Sequence, residues 1–318
     1  MKKNIFTFVS VTFGLSWLVQ LICYLAGVRY SDGVYSIVNM VIMFIPTLGM
    51  IATRYFCHEG LYFDELCIAP NFRGNIKRYL FAYIFPALAV LFGAVTFFML
   101  FPEKSDTSAQ TYLHAMVAAG YDVNDAGSIL SGQIAMTVIL GPIANILLTF
   151  VEELGFRGYL LVRFNKFFKK NSAIKAAFIT SLIWGVWYIP MYLQGHNYGL
   201  GYPGSPFLGI LVGLLFNILI GIIVSYLAFK TGSVIAGALV RSGISAMAVL
   251  PLYFSKGDIA LLLGPGVYGI VGCVGVALFA LVYALRIIRM QRIGELFYTK
   301  KEPKSKRNVK SNRKKEEF

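Results

Sequence analysis

The chain has 318 residues, 57% of them hydrophobic and 14% charged, with a formal net charge of +14 at pH 7 and a mean hydropathy of +0.68. Soluble domains carry about a quarter charged residues, so this composition excludes a soluble enzyme or a disordered scaffold. Four cysteines without a spaced framework exclude a secreted disulfide-stapled domain; all four are expected to pack, Cys57 and Cys67 included, although these two flank a short polar loop.

A spanning helix needs about 20 mostly apolar residues, and eight such stretches succeed one another: 5–28, 34–57, 79–101, 128–150, 174–194, 207–229, 232–255 and 259–289. The predicted fold is an all-α polytopic membrane protein, a bundle of about eight transmembrane helices. In chain order it divides into three N-terminal spans with their loops (1–127), a core (128–255), a last span (256–290) and a basic tail (291–318). The first stretch follows Lys2 and Lys3 but is long and ends in no small-x-small cleavage site, so it is expected to be retained. Pro190 is expected to kink the fifth. Gly141-Pro142 and Gly264-Pro265 are expected to kink the fourth and eighth. Only Lys230, Thr231 and Gly232 separate the sixth from the seventh.

Lysine and arginine accumulate in alternate loops, as they do on the cytoplasmic side of membranes. One side holds Lys2, Lys3, Arg54, Arg73, Lys77, Arg78, Arg157, Arg163, Lys166, Lys169, Lys170, Lys175, Lys230 and the tail; the other holds Arg29, Lys104 and Lys256. Both termini are therefore expected in the cytoplasm. From Arg286 to Phe318 there are 12 Lys/Arg and 4 Asp/Glu, which is +8 of the total charge. Such a juxtamembrane tail is expected to contact anionic lipid. Nucleic acid is not an expected partner, because neither interleaved aromatics nor a folded basic domain accompanies the charge.

Between Asp125 and Asp258 the only acidic residues are the adjacent Glu152 and Glu153. A carboxylate at membrane depth needs a partner or a polar cavity, which makes both functional candidates. The bland alternative is that they end the fourth span at the interface and pair with Arg157 and Arg163. Trp184 and Tyr188 share a face at i, i+4, with Trp187 beside them; taken alone these are more simply an aromatic packing stripe. Arg241 falls mid-span in the seventh stretch, with Ser245 one turn on, and needs an acid in the bundle. The seventh span is thus expected to pack beside the end of the fourth, with Arg241 aimed at Glu152 or Glu153, and Gly232, Ala236, Gly237 and Gly243 allowing close approach.

The Glu152-Glu153-x-x-x-Arg157 run, the Trp184-Gly185-x-Trp187-x-x-Pro190 segment, the Gly195-His196-Asn197-Tyr198 loop and the Thr231-Gly232-Ser233 segment together resemble the CPBP family (Abi). Its members are the CAAX-protease and bacteriocin-processing membrane proteins, also called type II CAAX prenyl endopeptidase or lysostaphin-resistance-protein-A-like intramembrane metalloproteases. The resemblance covers about residues 128–250. It implies Glu152 as the family's base, Glu153 as its neighbour and Arg157 as its structural partner. Tyr188 stands where the family has its second-motif histidine, Arg241 where it has the third-motif histidine and Ser245 where it has the asparagine. Trp184, Trp187 and His196 become candidate substrate contacts, with loop packing as the simpler role for His196; His58 and His114 are expected in loops.

A tyrosine cannot share proton work with a carboxylate at neutral pH as imidazole does, and an always-charged guanidinium would hold Glu152 in a tight pair. No cofactor is expected and no ordinary zinc site, since no histidine lies on a motif helix, while a divalent metal as in the family stays open. The preferred expectation is a catalytically degenerate member, a pseudoenzyme of the bacterial cytoplasmic membrane that binds or scaffolds a membrane-protein or peptide partner. The alternatives are an active endopeptidase with Glu152 as base and, third, a transporter, for which no internal repeat speaks.

Overall fold

A computed structural model describes residues 1–30, 32–60, 67–168 and 172–293; Lys169, Lys170 and the tail beyond 293 lie outside the described residues. Every regular element there is helical. Among the described residues seven helical stretches are long and apolar enough to cross a membrane, and the fifth expected span is a shorter apolar helix of 16 residues, Ser172–Trp187. The chain is an all-α polytopic membrane protein.

Three N-terminal helices, α1 (Lys2–Leu25), α2 (Gly33–Phe56) and α3 (Ile76–Leu100), precede a short surface helix, α4 (Gln110–Ala118), which carries His114 rather than leaving it in a loop. The fourth span is longer than its apolar pattern suggested. It runs through α5 (Ala126–Ala144), α6 (Ile146–Glu153), a π-helical turn (Leu154–Leu160) and α7 (Leu161–Phe167), 42 residues in all. Glu152 and Glu153 therefore lie inside this rod and not at its end.

The break between α5 and α6 follows from Pro142, which has no N–H to give the preceding turn. At the break, the Asn145 N–H bonds the Ser242 hydroxyl oxygen at 3.0 Å, and that hydroxyl donates to the Gly141 carbonyl at 2.7 Å. One side chain from a neighbouring helix thus stands in for the bond that residues 145 and 141 would have made. Ser242→Ala is expected to destabilise the protein by about 1–3 kcal/mol, the cost of orphaning buried backbone groups. Thermal unfolding in detergent checks it: an unchanged midpoint would mean the bend does not depend on the hydroxyl.

Just beyond, the π turn lies against the middle of α2, where Pro46 sits inside the helix. A Cβ on Gly155 would come within 2.6 Å of the Pro46 backbone, so only glycine permits this approach. Thr47 Oγ1 donates to the Val151 carbonyl alongside. These contacts hold α6 in one orientation against α2.

Pro190 breaks the fifth span as expected. The helix α8 (Ser172–Trp187) stops before Tyr188, and a single turn, α9 (Ile189–Tyr192), follows. The Trp187 carbonyl, released by the break, accepts from Trp17 Nε1 at 3.2 Å. Next, α10 (Phe207–Thr231) is apolar nearly all round, the pattern of a membrane span; one side is buried against other helices, while Phe207, Leu211 and Leu215 stay exposed. It ends at Gly232, whose φ of +63° reverses the chain into α11 (Ile235–Met247). The narrow boundary between the sixth and seventh spans is thus a true turn. It is tied to the α2–α3 loop by Val234 N–H to the Cys67 carbonyl at 2.9 Å and Asn71 Nδ2 to the Thr231 carbonyl at 3.0 Å.

The last span departs from expectation. Residues 255–273 contain Gly257, Gly264, Pro265, Gly266, Gly269 and Gly272, and they form an irregular segment; α12 is only Val274–Arg292. Gly264-Pro265 therefore kinks no helix. Such backbone survives beside a bilayer only when its polar groups are satisfied within protein. Here Ile270 N–H bonds the Leu262 carbonyl at 2.9 Å and Val271 N–H the Leu263 carbonyl at 2.8 Å, while Val267 is fully buried. All four cysteines are free, with Cys273 buried.

Candidate functional site

Three elements bring the polar side chains together: the end of α6, the C-terminal end of α8 and the middle of α11. Glu152 and Glu153 have no exposed surface, and Arg157 and Arg241 are 1% and 7% exposed. Arg157, in the π turn, gives Nη1 to Glu153 Oε1 at 3.1 Å, the expected i, i+4 pair. Arg241 bridges both acids: Nη1 lies 3.2 Å from Glu153 Oε1 and Nη2 lies 3.0 Å from Glu152 Oε2. Arg163 takes no part; it pairs with Glu59 at 2.6 Å, so the interfacial pairing of Arg163 with Glu152 and Glu153 is replaced by a separate clamp.

The aromatic residues complete the cluster. Trp184 Nε1 donates to Glu152 Oε1 at 2.5 Å, and the Tyr188 hydroxyl reaches the same oxygen at 3.4 Å. Arg241 Nη2 also donates to the Tyr188 oxygen at 3.2 Å. Both guanidinium groups lie over the Trp184 ring, each 4.5 Å from its centroid, a cation–π arrangement that suits a desolvated charge. Two cations and two anions make the set neutral, which is the condition under which ions persist in a low-dielectric interior. Arg157 Nε and Nη2 and Glu153 Oε2 have no hydrogen-bonding partner among the described residues.

Beside this cluster lies a cavity of about 270 Å³. Arg241, Ser245, Trp184 and Tyr188 form its inner wall, and Tyr192, His196, Asn217, Tyr268 and Tyr30 line the rest; neither Glu152 nor Glu153 reaches it. Asn217 Nδ2 donates to the Tyr192 hydroxyl at 2.7 Å. His196 Nδ1 is 2.7 Å from the Tyr30 hydroxyl, with its ring stacked on Tyr188 at 5.8 Å. Burial pushes the His196 pKa down to about 4, so the ring is neutral at pH 7 and adds no charge to the cavity.

Of the nine residues singled out in the sequence, Glu152, Glu153, Arg157, Trp184, Tyr188 and Arg241 meet directly, and Ser245 and His196 face the adjoining cavity. Trp187 touches the set only through an edge-on ring contact with Tyr188 at 5.0 Å. It is 1% exposed, packs edge-on against Phe156 and donates Nε1 to Ser16 Oγ of α1 at 2.8 Å. Sequence reasoning missed Tyr30, Tyr192, Asn217 and Tyr268. Asn217 carried a signal, as the one amide in α10; the tyrosines carried none, because a tyrosine within or beside an apolar stretch reads as packing.

The donor set does not fit a divalent metal. Among the described residues no three His, Cys, Asp or Glu side chains converge, and a guanidinium within 3.2 Å of both carboxylates repels a second cation. Compared with known proteins, residues 130–247 match the family described as Rce1-like: Type II CAAX prenyl endopeptidase Rce1-like. No curated protein matches the chain.

Proposed function

Because residues 130–247 match that family model, we propose that this integral membrane protein is a catalytically silent member of the CPBP, CAAX-protease-like family that binds a membrane-protein or peptide partner. The observation that carries this reading is the position of Glu152. Arg241, Trp184 and Tyr188 stand between its carboxylate and the cavity and already occupy both of its oxygens. A general base must come within hydrogen-bond reach of the proton it takes, and Glu152 has no exposed surface from which to do so. The volume, about 270 Å³, falls just below the range of roughly 300–1,000 Å³ in which pockets engulf a whole small ligand. It suits a side chain presented by an inserted segment. In this reading both termini face the bacterial cytoplasm and the basic tail rests on anionic lipid.

A second reading has one observation in its favour: Arg241 and Ser245 are on the cavity wall, where both can donate to a developing oxyanion. The two readings separate in membranes carrying wild type or Glu152→Gln, compared by mass spectrometry for new peptide termini in endogenous membrane proteins. Identical termini with the biological phenotype intact are expected. Cleavage confined to wild type would establish the peptidase and overturn the silent reading.

A further inference from the structure

Away from this cluster, α3, α10 and α12 enclose a groove of about 710 Å³ at the end of the bundle where α3 begins and α10 and α12 finish. Its floor is aromatic: Tyr226 and Tyr283 are buried with ring centroids 4.5 Å apart, and Phe81 packs edge-on against Tyr283 at 5.3 Å. Its rim carries Lys77, Arg78 and Arg286. The Arg286 guanidinium is held over the Tyr283 ring at 5.3 Å, and Arg78 is held at the helix start by Nη1 to Asn75 Oδ1 at 2.7 Å. No acidic residue occurs anywhere in α3, α10 or α12. Three cations thus face one opening whose own helices supply no counter-charge.

We propose that this groove is a binding site for an anionic phospholipid, its phosphate on Lys77, Arg78 and Arg286 and an acyl chain against Phe81 and Tyr283. The charge calls for an anion, and Arg in particular presents paired N–H groups to phosphate oxygens. The aromatic floor calls for an apolar chain on the same molecule. Membrane position supplies both at once, because the rim lies at the ends of spanning helices and the walls descend along them; basic pockets between such helices are a known kind of headgroup site. Leu80 and Val282, 58% and 45% exposed, continue the apolar surface from the groove along α3 and α12. None of the residues lining the groove belongs to the tail beyond residue 293.

Native mass spectrometry of the full-length protein, released from phosphatidylcholine nanodiscs containing phosphatidylglycerol, tests the site. Wild type is expected to retain phosphatidylglycerol over phosphatidylcholine by about tenfold or more. Arg78→Gln with Arg286→Gln is expected to abolish that preference. Ile76→Trp, which narrows the groove at an exposed position with every charge kept, is expected to weaken retention as well, and it remains informative if the arginine variant does not fold. Lys304→Gln with Lys306→Gln, an equal loss of charge in the tail, is expected to leave the retained lipid in place. Loss of retention in the tail variant equal to that in the groove variant would overturn the proposal, as would full retention in Ile76→Trp. Displacement of the lipid by millimolar inorganic phosphate would assign the rim to a free anion instead and would also overturn it.

Discussion

Arg241→Met is expected to be the most damaging single substitution in the protein, costing about 3–5 kcal/mol, the usual penalty for removing one partner from a buried ion pair. The reason is geometric. Among the described residues Arg241 is the only group that touches both acids, at 3.0 Å and 3.2 Å, and without it Glu152 and Glu153 are adjacent buried anions of which only Glu153 keeps a bonded cation, Arg157. Arg241→Lys is expected to recover only part of the loss, because one ammonium cannot present two separate N–H groups to carboxylates on different residues. Adding Glu152→Gln to Arg241→Met restores neutrality, with Glu153 and Arg157 still paired, and is expected to return much of the stability. Thermal unfolding in detergent decides the matter through a double-mutant cycle. If the double variant is no more stable than Arg241→Met alone, packing around the guanidinium and not charge balance is what matters.

Glu153→Gln is expected to rank second, at a similar order of about 3 kcal/mol, and to be clearly worse than Glu152→Gln. The two acids are neighbours in sequence but differ in partners. Among the described residues Glu153 is the only acid in hydrogen-bond contact with Arg157, which is otherwise buried with Nε and Nη2 unpaired. Glu152 shares Arg241 with Glu153, and its remaining bonds come from Trp184 and Tyr188, which a glutamine oxygen can still accept. Midpoints measured side by side for the two glutamine variants test this ordering, and equal midpoints would contradict it. The same difference makes Glu152→Gln the proper variant for the search for cleaved peptides, since it removes the carboxylate that a peptidase reading needs while sparing the anion that Arg157 depends on.

The two effects also bear on function. A charged cluster that is neutral, enclosed and bonded on most of its polar atoms behaves as a structural joint between α6, α8 and α11. The side of it that meets the cavity is built from Arg241, Trp184, Tyr188 and Ser245, groups that donate hydrogen bonds or stack. That surface can donate hydrogen bonds or stack on aromatic rings, and it exposes no carboxylate to act as a general base.

Composition and apolar run lengths determined that this is a polytopic helical membrane protein, because the cost of placing polar backbone and charge in hydrocarbon leaves few other solutions. The scarcity of acids between residues 126 and 257 likewise determined that Arg241 must meet Glu152 or Glu153, since an unpaired guanidinium at that depth is too costly to persist. Tertiary structure alone decided the rest. It made Arg241 bridge both acids instead of choosing one, a matter of how closely α11 lies on α6. It inserted the Ser242 hydroxyl into the break after Pro142, a contact between residues 101 positions apart that no local pattern encodes. It converted residues 255–273 from helix to an irregular segment, where hydropathy sees apolar residues but cannot see that glycine and proline leave the backbone to be satisfied by its surroundings. Above all it placed Trp184 and Tyr188 between Glu152 and the cavity. Whether a carboxylate is reachable depends on which side chains stand in front of it, and that is set by the packing of helices far apart in the chain.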